Sequence, residues 1–371
     1  MALSANIFYG FPSRKLIVIG VTGTDGKTTT SNLIYHILKE SGKTVSLVST
    51  VGAKINGKDY DLPFHVTTPS PFALERLISE ASKGSEEKRY LVLEVTSHAL
   101  DQNRVAGIHF FVSVITNVTN EHLDYHKTWE NYLKTKAKLL RNSDTAILNR
   151  DDKSYGPLKD YLRNSNVRIL EYTQDGKNYK NIPGKFNKYN IGAASSVSKA
   201  LGITNEQIEK ALLTFELPEG RMEEVYDKDF RLIIDFAHTP NSIENVLSFL
   251  RPQIKGKIIH VFGSAGERDS KKRPEMGKAS SKFSDIIILT SEDPRSENPK
   301  TIIEEIRKGI DNKKEVLEIE DRKDAIRKAV SIARKGDLVI VTGKGHEKSM
   351  NMGNGEIEWS DKKEVLEALK K

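Results

Sequence analysis

The chain has 371 residues, more than one comfortable hydrophobic core accommodates, and two domains are expected. Hydrophobic residues at 37% and charged residues at 29% exclude a disordered chain, and the lack of cysteine excludes disulfides, thiolate catalysis and Cys-based zinc sites. The net charge of +7 comes from lysines interleaved with glutamates, as in Glu86-Glu87-Lys88-Arg89 and Asn312-Lys313-Lys314-Glu315, which reads as a solvated surface.

No apolar run approaches the roughly 18–20 residues of a membrane span, and the N-terminus has no leader pattern. No nucleic-acid-binding signature accompanies the charge. A cytoplasmic, monomeric enzyme acting on small molecules is expected, with neither nucleic acid nor membrane as partner.

In chain order, Leu16–Val21 reads as a buried strand and Thr28–Glu40 as a helix. Val45–Val48 is the next strand, Pro71–Lys83 the next helix, and Tyr90–Val95 and Val112–Thr116 two further strands. Trp129–Leu140 has helical spacing and Ala146–Leu148 reads as a strand, followed by helices over Asn187–Leu201 and Asn205–Leu213. Alternation of this kind predicts an α/β fold with a mostly parallel sheet. Leu217-Pro218-Glu219-Gly220 has linker composition. Beyond it a second series begins, with strands at Leu232–Phe236, Lys257–Phe262, Ile286–Thr290, Val316–Ile319 and Leu338–Val341. Its helices are expected at Asn241–Leu250, Pro274–Lys282, Lys300–Lys308 and Arg322–Arg334. The division is a remnant of a linker over 1–14, an ATP-binding domain over 15–219 and a smaller Rossmann-like domain over 220–371.

Between the first strand and the first helix lies Gly23-Thr24-Asp25-Gly26-Lys27-Thr28-Thr29. Glycines let backbone N–H groups face phosphate oxygens, and the helix N-terminus adds its positive end. Lys27 can reach the outer phosphates and Thr28 can ligate Mg²⁺. The strict phosphate-loop pattern needs glycine where Val21 stands, so this is a variant loop. By itself it indicates a nucleotide and no particular reaction.

The variant loop resembles that of the Mur ligases and folylpolyglutamate synthetases, with Asp25 where the family more often has asparagine. Further segments, in order, resemble the MurE-type branch, which adds the third amino acid to the muramoyl peptide. They include Thr67-Thr68-Pro69, Glu94-Val95-Thr96-Ser97-His98, Thr116-Asn117-Val118-Thr119-Asn120-Glu121-His122 and Tyr132-Leu133-Lys134-Thr135-Lys136. Gly184-Lys185-Phe186-Asn187, Gly220-Arg221-Met222-Glu223, Asp235-Phe236-Ala237-His238-Thr239-Pro240, Glu292-Asp293-Pro294-Arg295 and Gly343-Lys344-Gly345-His346-Glu347 complete the series. The family's N-terminal domain, which holds the uridine diphosphate (UDP) of the substrate, has no counterpart here. Residues 8–14 look like the linker out of it, and a partner protein supplying that domain is one expectation.

The resemblance implies a ligase that uses ATP and Mg²⁺ to form an amide through an acyl phosphate. It carries Gly23, Thr24, Asp25, Gly26, Lys27, Thr28, Thr29, Asn117, Asn187 and Asn190 over as nucleotide contacts. Thr28 and Glu94 are implied as ligands of one Mg²⁺. His122, with a carbamoylated Lys136, is implied for a second. Arg221, Asp235 and His238 are implied to reach ATP on domain closure, and Lys272 to stabilise the acyl phosphate. Thr67, Thr68, Ser97, Gln102 and Arg104 match positions that bind the peptide-bearing substrate. Arg268, Asp293, Arg295, Gly343 and Glu347 match those for the incoming amino acid. The retained Arg295 favours meso-diaminopimelate over L-lysine, although the two residues before Pro294 depart from the family's Asp-Asn. Two alternatives stay open: a Mur-like ligase acting on a carboxylate without UDP, and a P-loop NTPase or binding subunit with no ligase activity.

Overall fold

A computed structural model describes residues 1–62, 67–85 and 88–370. It divides into two compact units, Met1–Pro218 and Glu219–Lys371. Each is taken by itself.

The first unit is built on strands β1 (Ile17–Thr22), β2 (Thr44–Ser49), β3 (Gly52–Ile55), β4 (Lys58–Tyr60), β5 (Arg89–Glu94), β6 (Phe110–Ile115), β7 (Ser143–Asn149) and β8 (Arg168–Tyr172). They form one sheet in the order β4-β3-β2-β5-β1-β6-β7-β8, parallel except at the β3 and β4 edge. Every residue of β5 is buried, and β1 is buried from Val18 onward, because helices cover both faces. Its helices are α1 (Ala2–Phe8), α2 (Lys27–Glu40), α3 (Pro71–Ala81), α4 (Ser97–Asp101), α5 (Leu123–His126), α6 (Trp129–Arg141), α7 (Tyr155–Leu162), α8 (Lys185–Ala200) and α9 (Asn205–Leu213). Leu33, Ile34, Ile37 and Leu38 of α2 pack with Ala193, Ala194 and Val197 of α8 over one face of the sheet. Leu74, Leu77 and Ile78 of α3 cover the other. Fully burying each such side chain contributes roughly 1.5–3 kcal/mol. Register puts Val21 beside Glu94 and Thr22 beside Ile115, so β1, β5 and β6 end side by side.

The second unit has strands β9 (Glu223–Asp227), β10 (Arg231–Asp235), β11 (Ile258–Phe262), β12 (Ile286–Leu289), β13 (Glu315–Glu318) and β14 (Leu338–Thr342). Their order is β13-β12-β11-β14-β10-β9, parallel apart from β9. A small hairpin, β15 (Ser349–Asn351) with β16 (Glu356–Glu358), follows. Helices α10 (Pro240–Leu250), α11 (Lys272–Phe283), α12 (Pro299–Arg307), α13 (Arg322–Ile332) and α14 (Asp361–Ala368) complete it. Two parallel α/β units are therefore present, as the alternating pattern predicts.

Within the segment expected as a linker remnant, α1 is helical, and the Asn6 side chain is fully buried against Glu75 and the carbonyl of Ala106. One expectation needs correction. Arg89 is not a solvated charge. It is buried, donating to the carbonyl of Ala81 and to Asn56. Glu86 and Glu87 of the same charge run lie outside the described residues.

Candidate active site

The phosphate loop leaves β1 and enters α2 through Gly26, which has φ +81° and provides no side-chain cap, so the first N–H groups of the helix face outward from the sheet end. Two neighbours exclude any larger residue from the loop. A Cβ on Gly23 would stand 1.8 Å from the Thr116 hydroxyl, and one on Gly26 would stand 2.3 Å from Asn190 Oδ1. The loop is braced by β6: Asn117 accepts from Asp25 N at 3.1 Å, and the Thr116 hydroxyl donates to the Asp25 carbonyl at 2.7 Å. Lys27 Nζ lies over the loop, donating to the Thr24 carbonyl at 2.7 Å. Thr29 is buried in the first turn of α2. Asn190 accepts from Thr30 and donates to Asn187, so both α8 asparagines sit against the start of α2.

Glu94, the last residue of β5, is fully buried. Its carboxylate accepts from the Thr28 hydroxyl at 3.1 Å, and from the Thr50 N–H and hydroxyl at 2.9 Å each. The Thr50 hydroxyl also lies 3.0 Å from that of Thr67, and the Thr68 hydroxyl donates to the Glu94 carbonyl. Arg104 reaches the Thr68 carbonyl at 2.8 Å and holds Gln102 through two further N–H groups. Ser97 is hydrogen-bonded to His126 at 3.0 Å. Thr28, Glu94, Thr67, Thr68, Gln102 and Arg104 are thus one connected network.

Lys136 on α6 is 1% exposed. Its Nζ donates to the Gly23 carbonyl at 2.6 Å and lies 4.3 Å from the centre of the Tyr132 ring. Burial, reinforced by the charge of Lys27, holds its ammonium well below the ordinary lysine range. The Tyr132 hydroxyl meets Thr24 at 3.3 Å. His122, at φ 56°, has its ring 6.1 Å from Tyr132 and 4.8 Å from His98. Burial brings the neighbouring His126 down to about 4, helped by His98 and Lys136, so it is neutral at physiological pH.

In the second unit Asp235 accepts from the backbone N–H of Met222 at 2.7 Å and of Ala237 at 2.8 Å. Burial raises its carboxyl, while Arg221 and these two donors oppose the shift. The Arg221 guanidinium lies 4.4 Å over the Phe236 ring, which also packs against His238 and His346. Arg221, Asp235 and His238, the three positions implied to reach ATP, therefore lie together at this strand end.

Lys272 opens α11 close to Glu292, and Arg268 is exposed in the loop before it. Beyond β12 and β14, the Lys344 ammonium is fully buried between Asp293, at 2.9 Å from both oxygens, and Glu347 at 2.5 Å. Burial pulls that ammonium down, but the two carboxylates outweigh it and hold it above its ordinary value. Asp293 and Arg295 have φ 44° and 54°, a backbone state that non-glycine residues keep only where contacts fix it. Glu292 is buried with Oε2 lacking a hydrogen-bond partner, and burial pushes its carboxyl up to about 7. A Cβ on Gly343 would meet that same oxygen at 2.1 Å.

Residue reasoning missed Thr50, Tyr132 as a loop contact, Lys344 as the buried partner of Asp293, and Glu292 itself. Lys344 and Glu292 stand inside the family-like segments Gly343–Glu347 and Glu292–Arg295, so the sequence does carry a signal for them. Thr50 has no sequence signal, because it reaches Glu94 only through sheet pairing.

The "Mur ligase middle domain" family matches residues 21–208, and the "Mur ligase, glutamate ligase domain" family matches residues 220–345. The chain is 41% identical over 394 aligned positions to the UDP-N-acetylmuramoyl-L-alanyl-D-glutamate–2,6-diaminopimelate ligase of Aquifex aeolicus, covering 99% of this chain and 80% of that one. It is 39% identical to the ligase of that name from Clostridium botulinum, covering 100% and 81%. A solved structure of such a ligase is 28% identical, with a TM-score of 0.60, over 96% of this chain and 78% of that one. Both units are thus matched in order, and the chain belongs to the Mur ligase family of ATP-dependent ligases.

Proposed function

We propose that the chain joins 2,6-diaminopimelate to the D-glutamyl carboxylate of UDP-N-acetylmuramoyl-L-alanyl-D-glutamate. In the first step the carboxylate oxygen attacks the γ-phosphorus of ATP, giving an acyl phosphate and ADP. In the second an amino group attacks the acyl carbon, phosphate leaves, and the nitrogen gives up a proton. The observation that carries this reading is the match along the whole chain to relatives named for that reaction.

The residues fit the roles. The glycines of the phosphate loop and the uncapped start of α2 suit the polyphosphate, with Lys27 as the adjacent cation. Thr28 and Glu94 would hold Mg²⁺. Among the described residues no three His, Asp or Glu side chains form a metal cage. One carboxylate with one hydroxyl, completed by phosphate and water oxygens, is a donor set that Mg²⁺ takes in such sites. Bound Mg²⁺ would neutralise charge developing on the transferring phosphoryl group. Thr68, Ser97 and Arg104 would position the acceptor carboxylate beside Glu94, and Arg295 would pair with the distal carboxylate of the amino acid.

Lys136 is the proposed site of carbamoylation. Its neutral amine adds to CO₂, releasing one proton and leaving a carbamate whose two oxygens suit a hard cation, with His122 as a second ligand. The lowered ammonium supports this, because only the neutral amine adds to CO₂.

Trapping tests the mechanism. With ATP, Mg²⁺ and the acceptor but no amino acid, hydroxylamine is expected to convert the acceptor to its hydroxamate as ADP forms. ATP hydrolysis with no hydroxamate would contradict an acyl phosphate.

A further inference from the structure

Arg322 is the first residue of α13, and its guanidinium is fully buried. Nε and Nη2 each donate to Asp361, the first residue of α14, at 2.8 Å. Other N–H groups go to two backbone carbonyls, Thr342 at 2.8 Å and Ser291 at 3.4 Å. Thr342 ends β14, and Ser291 lies just past β12. The loops that follow these two carbonyls carry Gly343, Lys344 and Glu347 on one side, and Glu292, Asp293 and Arg295 on the other.

One side chain therefore pins the segment from Thr342 to Asp361 at both ends. Between the pins the β15–β16 hairpin reaches across to the second loop. The Asn351 N–H donates to Asp293 Oδ1 at 2.9 Å, and its carbonyl accepts from the Arg295 N–H at 3.1 Å. Trp359 secures the return, with its backbone N–H on the Lys348 carbonyl at 3.0 Å and its indole N–H on Asp361 at 2.9 Å. Arg295 and Asp293 keep their left-handed backbone within this frame.

Stability alone is a poor explanation for such a pair, since apolar residues of similar volume often serve as well or better in a buried site. What an apolar replacement does not supply is a planar set of directed donors joining two strand ends to a third element. We propose that Arg322 and Asp361 are a positioning pair for amino-acid selection. They fix the separation of the two loops, and through the hairpin the placement of Arg295, without touching the amino acid. This rests on the reading that Arg295 meets the distal carboxylate of diaminopimelate. Lysine has no such carboxylate, so loosening the frame weakens selection for diaminopimelate and largely spares lysine.

The test is kcat/KM for meso-diaminopimelate and for L-lysine in the wild type and in Arg322→Lys, Asp361→Asn and Trp359→Phe, at saturating ATP and acceptor. A smaller folded fraction lowers both values equally, so their ratio reports positioning alone. Arg322→Lys and Asp361→Asn are expected to lower the diaminopimelate-to-lysine ratio at least about tenfold, with KM for ATP changed by less than about threefold. Trp359→Phe keeps the ion pair and is expected to lower the ratio about two- to threefold. An unchanged ratio in Arg322→Lys and Trp359→Phe overturns the proposal. If the first two variants do not fold, an unchanged ratio in Trp359→Phe overturns it alone. A wild type that ligates neither amino acid is a separate result, which removes the functional reading and the pair's role in selection with it.

Discussion

Lys136 is the residue whose burial most needs a chemical reason. This lysine is 1% exposed, with its Nζ at the Gly23 carbonyl and over the Tyr132 ring. Charged, it would carry a large desolvation cost. Neutral, it has the lone pair that the proposed carbamoylation requires. Lys136→Ala is expected to lose ligase activity, and a short carboxylate such as acetate in solution is expected to restore part of it. Full activity of the alanine variant in CO₂-depleted buffer would remove the carbamate. The lysine was visible in the sequence only as one of several on α6, and the resemblance singled it out. Its burial and its contact with the phosphate loop are tertiary facts that helical spacing does not carry. Glu94 was easier, because a carboxylate closing an otherwise apolar strand marks itself in the sequence.

Whole elements were legible where the periodicity was long and the burial two-sided. The ends of β1, β5, β6, α2 and α8 fall within a few residues of their expected bounds. Short or half-exposed elements were not. The β3–β4 hairpin turns at Asn56 and Gly57, both with positive φ, and that dipeptide is itself a hairpin signal that passed unread. Helix α1 was missed because it is short and buries only two alanines, Ala2 and Ala5, with one polar residue, Asn6, bonded to Glu75 of α3 at 3.0 Å. That contact makes stability depend on pH. Burial pushes the Glu75 carboxyl up from 4.5 to about 7, against the opposing effect of Asn6. Between those values the folded chain holds a proton that the unfolded chain releases. The contribution is therefore complete below about 4.5 and is lost as pH rises through about 7. Glu75→Gln cannot ionise, so its melting temperature is expected to fall less than that of the wild type between pH 5 and pH 8. Parallel pH profiles for the two proteins would contradict the assignment.

At the scale of the molecule, the two parallel α/β units follow from composition and alternation, whereas the reaction does not. A phosphate loop is shared by switches, motors and kinases. The ligase assignment depends on what converges around it, namely Glu94 at the end of β5 and Lys136 under the loop, together with the match to family members along both units. Asp293 illustrates the limit of motif reading. Its place in the sequence marks it as an amino-acid contact, while its carboxylate is already engaged by Lys344 and by the Asn351 N–H. The most direct measurement is product formation by the purified chain with ATP, Mg²⁺, UDP-N-acetylmuramoyl-L-alanyl-D-glutamate and meso-diaminopimelate, read by mass and by released phosphate. The account predicts one phosphate released per amide formed, dependence on both acceptor and amino acid, and higher kcat/KM for diaminopimelate than for lysine. Phosphate release indifferent to the acceptor and the amino acid, with no conjugate of the expected mass, would contradict it.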